Sequence, residues 1–407
     1  MSKIAVRHLL FAVTAAVAGA CSSAPAARPL ASPAPNHFPP DCVAAGTHGA
    51  RRDSIRVVSD APVSRPDAPV PRSGAERIAF ALAYETLERV DCQGNATPGL
   101  ATLRRGNGEV AFRLRPDARF WDGAPVTAGD VLASWRARDS ALAARARAIG
   151  DSVVVVDGSA GDPVPAVAAP LAAVTKPAPD GGWPIGTGAR WITDGGEAET
   201  IVQPVLPGSA PRIRFVPGTE DARDAIDGNA DVVITDDRAA LAYAARRPRL
   251  AVLPFAWSAV YVLLAPDEVT PDRGDLAGAV RVDAVPAESP PCPPARSRTA
   301  RFSGPRRVAY LAGDATAEAL AARLIGSGTL GPGVFAAALP RGEWASALAQ
   351  GTEWAVLERR DAGRDCAPGS WGWSSPLIAV RSSAIVDRSL LPVALTADGA
   401  PLLGASP

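Results

Sequence analysis

The sequence predicts an α/β protein of two lobes, with a first lobe that the chain leaves and re-enters. Three observations carry this expectation. Segments of strand-like apolar alternation are interleaved with segments of helical spacing, in two separate stretches of the chain. From Arg51 onward this patterning persists for about 350 residues, enough to bury two cores. The tail, after a compact α/β unit, returns to strands and turns, as a chain closing onto its own beginning would.

The elements follow in order. The start, MSKIAVRHLLFAVTAAVAGACSS, has basic residues Lys3 and Arg7, an apolar run from Leu9 to Val17, and Ala18, Gly19 and Ala20 before Cys21. That run is shorter than the roughly 20 residues of a membrane-spanning helix. Residues 1–20 are therefore expected to be a cleaved secretory signal. The small residues before Cys21 resemble the lipobox of bacterial lipoproteins, which makes Cys21 the expected lipidated first residue of the mature chain. Secretion with Cys21 unmodified is the alternative, since Ala18 stands where lipoboxes prefer Leu. Residues 21–50, rich in Pro, Ala and Ser, cannot bury enough apolar surface to offset chain entropy and read as a tether.

In the folded part, 53–60 is a plausible first strand and 74–90 a helix, with Ile78, Leu82 and Leu87 on its apolar side. Residues 112–115 alternate as a half-exposed strand, and a short strand carries Phe120. Asp122-Gly123 is a tight-turn pair. Thr127 is placed to cap a helix with Asp130 at N3, Val126 and Val131 form a hydrophobic staple, and the helix runs on to near Gly150. A loop-rich stretch over 157–188 precedes strands at 199–205 and 211–216. Then come a helix ending near Gly228, an apolar strand, a helix, and strands at 250–255 and 259–265. Between 306 and 359 the order is strand, helix, strand, helix, strand.

Composition excludes more than it identifies. Without Lys3 and Arg7 the mature chain carries 40 basic side chains against 42 acidic, which leaves no electrostatic footprint for nucleic acid. The only histidines are His8, His37 and His48, in the signal, in the tether or at its end. The folded region thus has no imidazole for a triad, a general base or a metal site. Lys176 is the one lysine after the signal, beside Pro177 in a loop, which leaves Schiff-base chemistry a single candidate. No nucleophile elbow, zincin helix or phosphate-binding glycine loop is present. If a strand continues through the visible carboxylate pair, Asp236 and Asp237, their side chains point to opposite faces and do not converge, and if a helix starts there Asp237 or Thr235 is its cap. No cofactor and no metal are expected, and the chain reads as no enzyme. Cys42, Cys92, Cys292 and Cys366 suggest two disulfides in an exported chain, with three connectivities open. Pairing Cys42 with Cys92 and Cys292 with Cys366 keeps each bridge within one half of the chain, and free structural thiols are the alternative.

The motif order adds a family. Tyr84-Glu85-Thr86-Leu87, Pro98-Gly99-Leu100-Ala101, Phe112 to Arg115, Phe120 to Val131 and Gly186-Thr187-Gly188 resemble the successive motifs of family 5 extracytoplasmic solute-binding proteins of ABC importers. "AIDGNADVVITDD" and "FAWSAVYVLLA" look like that family's helix-to-strand step and crossing strand. The likeness spans residues 80–265. It implies a periplasmic-binding-protein-like (Venus flytrap) fold, with lobe 1 at 51–268 and 376–407 and a shortened lobe 2 at 269–375. It also implies a monomeric lipoprotein in the periplasm or at the cell surface, handing a small solute, such as a peptide, to an ABC permease. Departures from the family are the Pro-broken segment after Ala265, Ala189-Arg190 in place of Pro-Tyr, and the lack of an acidic second-lobe segment that would hold a peptide amino terminus. These leave room for a second class, a surface-anchored scaffold or partner-binding protein without a transport ligand.

A solute pocket needs aromatic walls with a few polar groups. The candidates are Tyr84, Trp121, Trp183, Thr187, Trp257, Tyr261, Trp371 and Trp373, with Trp371-Gly372-Trp373 the most suggestive. Trp135, Trp344 and Trp354 are expected in the core.

Overall fold

The computed structural model describes residues 42–46, 52–106, 108–159, 161–196, 198–218, 221–228, 230–255, 259–265, 280, 306–350, 354–359 and 373–404. Strand β1 (Val43–Ala44) pairs with the end of the chain, and β2 (Ser54–Ser59) begins the main sheet. Helix α1 (Gly74–Ala83) opens with a capping box in which Ser73 Oγ accepts from the Glu76 amide. The buried Glu76 carboxylate accepts in return from the amides of Ser64, Arg72 and Ser73, so one side chain fixes the whole approach to the helix.

The helix stops at Ala83, short of the expected 90, and Tyr84 is already extended. The apolar residues on either side of Tyr84 serve different cores. Ile78, Phe80 and Leu82 pack beneath the main sheet, whereas Leu87 joins Leu100, Phe112 and Trp135 in a second cluster. A helix continued to 90 would carry Leu87 away from that second core.

The second core is built by the hairpin β3 (Glu88–Val90) and β4 (Ala96–Pro98), strands β5 (Ala101–Arg105) and β6 (Glu109–Leu114), and helix α2 (Ala128–Arg138). Helix α3 (Ser140–Ala144) and strands β7 (Ala146–Ile149) and β8 (Val153–Asp157) complete it. Thr127 and Asp130 form the expected capping box, and Gly123 takes the turn with φ 83°, a value side chains disfavour. Phe120 lies in no strand; a single bridge between Arg119 and Pro125 closes the bend. Nor does the helix reach Gly150. It breaks at Asp139, which caps α3 by accepting from the Leu142 amide at 2.9 Å, and 146–149 becomes a strand. The reason lies downstream: the four valines Val153–Val156 favour a strand, and β7 covers an edge that β6 leaves open, in the order β5-β6-β8-β7. Trp135 is fully buried here, its indole N–H donating to Ala172 O at 2.8 Å.

After a short helix α4 (Val164–Val167), the chain forms β9 (Arg190–Gly196), β10 (Glu199–Pro204) and β11 (Arg212–Pro217). Then follow α5 (Ala222–Asp227), β12 (Val232–Thr235), α6 (Arg238–Ala245) and β13 (Leu250–Pro254). The second lobe holds β14 (Ala259–Ala265), β15 (Arg306–Leu311), α7 (Ala315–Gly326), β16 (Val334–Leu339), α8 (Arg341–Gln350), β17 (Trp354–Arg359) and β18 (Trp373–Val380). The chain returns through β19 (Ser383–Asp387) and β20 (Val393–Ala394).

Two large sheets result: β13-β19-β12-β2-β11-β10-β9 and β16-β15-β17-β14-β18. The second is covered on both faces. Val308, Leu320, Leu324 and Val356 pack on the α7 side, and Val262, Leu264, Trp344 and Ala355 on the α8 side, so its strands read as near-continuous apolar runs. Sheet membership shifts the expected lobe limits. Strand β14, assigned to lobe 1 from sequence, lies inside the second sheet between β17 and β18, and β18 straddles residue 376. The chain therefore passes from the first sheet to the second after β13 and back between β18 and β19. Residues past 388 pack back on the first core through Leu391, Val393, Leu402 and Leu403. Arg190, 4 % exposed, holds this tail: its guanidinium donates to Pro211 O, Leu403 O and Gly404 O, and burial without a counter-charge pulls its pKa down to about 10.

Candidate functional site

Strand register brings the open ends of both sheets to the crossings. In the first lobe, Ser59 at the end of β2 lies beside Ile234 of β12, and Thr235 and Pro254 both stand opposite Ser383, the first residue of β19. The carboxyl ends of β2, β12 and β13 thus share one edge with the start of the returning strand. In the second lobe, β15, β16 and β17 are parallel and end where β14 begins and β18 finishes, with Arg359 opposite Val260 and Val380 opposite Ala259. The two crossings are tied to each other by the Phe255 amide donating to Ser382 O at 3.0 Å. In open α/β sheets the crevice outside the carboxyl ends of the strands is where ligands bind. Here both sheets offer that edge to the crossings.

The side chains at these edges are polar. Asp60 follows β2 and Asp236 follows β12. Partial desolvation against the sheet edge raises the Asp60 carboxyl above its ordinary range, and the charge of Asp236 raises it further. Asp236 is raised by burial first and by Asp237 second. Neither Asp60 nor Asp236 has an ion-pair partner among the described residues. Asp237 itself caps α6, accepting from the Ala239 amide, so the adjacent carboxylates divide into a cap and an edge group. On the second lobe, Asp314 caps α7 and also accepts from the Tyr261 hydroxyl at 3.1 Å. The edge can stabilise positive charge, since a cation beside Asp60 and Asp236 would relieve both desolvation and mutual repulsion.

Four of the sequence candidates come together elsewhere. The Tyr84 ring lies 5.4 Å from that of Trp121 and 5.6 Å from that of Phe80, and Phe80 meets Trp183 at 6.4 Å. The 186–188 segment packs on them: the Trp121 amide donates to Gly186 O and the Gly188 amide to Ala83 O. Register places the 186–188 segment, which leads into β9, off the amino ends of the parallel strands, because Arg190 pairs with Pro204 at the end where Arg212 pairs with Ser54. Tyr84, Trp121, Trp183 and Thr187 lie where the two cores of the first lobe meet, apart from the residues named at the crossing edge. The Tyr84 hydroxyl, Thr187 Oγ1 and Trp121 Nε1 are buried without a hydrogen-bond partner, whereas Trp183 Nε1 donates to Asp194 at 2.9 Å.

Tyr261 does stand near the start of β14, at the crossing edge. Trp373 begins β18, at the far end of that strand from the crossing. Trp257, Trp371, Cys21, Cys292 and Cys366 lie outside the described residues. Cys42 and Cys92 are joined by a disulfide. Sequence reasoning missed Asp60 and Asp314, whose only signal was a carboxylate one to three residues after an apolar strand. It also missed Trp191, at 39 % exposure one of the few large apolar side chains in solvent among the described residues. Among the described residues no group of three or more His, Cys, Asp or Glu is placed to hold a metal, and no helix is long and apolar enough to cross a membrane.

No protein-family model matches the chain, and no curated protein matches it. Solved structures do. NikA from Staphylococcus aureus, in complex with Ni(L-His)2, superimposes with TM-score 0.59 at 12% identity over 86% of this chain and 98% of its own. A substrate-binding protein from Microbacterium hydrocarbonoxydans, complexed with 4-hydroxybenzoate hydrazide, gives 0.58 at 15% identity over 87% and 100%. The murein tripeptide binding protein MppA of Escherichia coli gives 0.55 at 16% identity over 77% and 80%. At these identities the likeness is one of fold: this chain has the bilobal α/β fold that these binding proteins share.

Proposed function

We propose that the protein is a family 5 extracytoplasmic solute-binding lipoprotein that captures a small solute between its lobes and presents it to an ABC permease. The observation that carries this reading is the meeting of both sheets' carboxyl edges at two paired crossings, the arrangement a hinge requires. The motif order between Tyr84 and Ala265 and the likeness in fold to nickel-, hydrazide- and tripeptide-binding proteins support it. It acts by binding and release, with no catalytic step. Asp60 and Asp236 favour a solute with a positive group, such as the amino terminus of a short peptide. Lipid attachment at Cys21 would hold the protein at the membrane surface through the 21–50 tether.

A thermal-shift screen of the mature chain against short peptides, oligosaccharides and nickel chelates tests the solute role. A true ligand at a hundredfold excess over its dissociation constant adds about 2.7 kcal/mol of stability. No shift with any class would favour the scaffold reading. Metabolic labelling with a palmitate analogue, lost in Cys21→Ala, tests the anchor.

A further inference from the structure

A groove of about 810 Å³ runs across the first-lobe sheet at β9, β10 and β11, on the face turned away from α1. One row of side chains spans it. Trp191 stands opposite Gln203 on β10; the register of Val202 with Ile213 sets Gln203 beside Arg212 on β11, and Arg212 lies beside Ser54 on β2. All four line the groove. Strands lie about 4.8 Å apart, so Trp191 and Arg212 are separated by about 10 Å, the reach of a disaccharide.

The charges in the groove are unevenly paired. Arg214 donates to Glu199 at 2.5 Å, and Arg52 pairs with Asp231. Arg212 is exposed and has no ion-pair partner among the described residues. The row thus offers a wet indole face at one end, an amide and a hydroxyl along its length, and a free guanidinium fork. An indole face packs against the C–H face of a pyranose, the amide and hydroxyl meet ring hydroxyls in either sense, and the guanidinium grips a carboxylate through two parallel N–H donors. We infer that this groove is a second binding site, separate from the crossing edge, for an acidic oligosaccharide: one sugar ring stacks on Trp191 and a carboxylate of the same chain pairs with Arg212. Arg52, Arg212 and Arg214 line the groove together with Asp53 and Glu199, so the preference for an acidic over a neutral sugar rests on the unpaired Arg212, and the concave wall suits a chain-like ligand better than a flat bilayer.

The test uses the full mature chain and a tetrasaccharide of alternating glucuronic acid and N-acetylglucosamine, followed by titration calorimetry and tryptophan fluorescence. The wild type binds; Trp191→Ala and Arg212→Gln each bind at least about tenfold more weakly, the cost of one lost stacking or charge-assisted contact. A neutral N-acetylglucosamine tetrasaccharide binds about as weakly as the acidic one binds Arg212→Gln, and is indifferent to that substitution. Both side chains being exposed, unchanged melting temperatures confirm that the variants are folded. Absence of tetrasaccharide binding, wild-type affinity in either variant, or a Trp191-dependent binding to phosphatidylglycerol vesicles in its place would overturn the inference. None of these residues lies at the crossing edge, so a solute found in the thermal-shift screen would still stabilise both variants, and the two readings fail separately.

Discussion

Glu88 offers a direct check on the first-lobe architecture. It sits in β3 opposite Pro98, 2 % exposed, with Oε1 lacking any hydrogen-bond partner. Burial pushes its carboxyl from the ordinary 4.5 up to about 7, and the charge of Arg105 offsets only part of this. A carboxyl whose folded pKa is raised binds its proton more tightly in the native state, so stability falls as pH rises from the unfolded value to the folded one and then levels off. At about 1.4 kcal/mol per pH unit, the interval from 4.5 to about 7 amounts to about 3 kcal/mol. Only Oε1 is sealed from solvent without a partner, so screening at the rest of the carboxyl trims part of that figure. Glu88→Gln keeps the shape and removes the ionisation. Urea unfolding at pH 4.5, 6 and 8 should show the variant close to wild type at pH 4.5 and about 2 to 3 kcal/mol more stable at pH 8. The same difference at all three pH values, or a loss at pH 8, would show that Glu88 is solvated or paired and would refute the burial derived for β3.

Other perturbations probe separate links. The Cys42–Cys92 bridge closes a loop with a sequence separation of 50, and replacing both cysteines with Ser should cost about 4 kcal/mol of chemical stability on the chain-entropy estimate. Gly186→Ala would set a methyl 2.6 Å from Ala83 O and 2.7 Å from Trp121 Cζ2; calorimetry should register a loss of about 1 to 3 kcal/mol, and a neutral result would mean the two cores are not pressed together there. Thr127→Ala removes the capping box of α2 and should lower stability by about 1 kcal/mol, with Ser restoring most of it.

The parts legible in the sequence are those written in local chemistry. The Thr127–Asp130 cap, the Asp122-Gly123 turn, Asp237 as a cap and the strand–helix alternation from 306 to 359 each depend on residues within one or two turns of one another. The misreadings share a cause. Residues 84–90 and 146–149 have acceptable helical spacing, and what removes them from helices is a partner elsewhere: Leu87 is claimed by Phe112 and Trp135, and Ala146–Ile149 by the valines of β8. The aromatic candidates were conspicuous by residue type, yet type does not tell which of them pack together, as Tyr84 does with Trp121 and Phe80 with Trp183.

By itself the sequence determined the α/β class and the order of most elements, because periodicity and caps act over a few residues. Only the tertiary structure decided that α1 ends at Tyr84, that β14 belongs to the second sheet, that Asp60 meets Asp236 at the crossing edge, and that Trp191 shares a row with Arg212. Those outcomes rest on strand pairing across long loops, where the free energy lies in the contact between two distant segments and neither segment alone records which partner it will have.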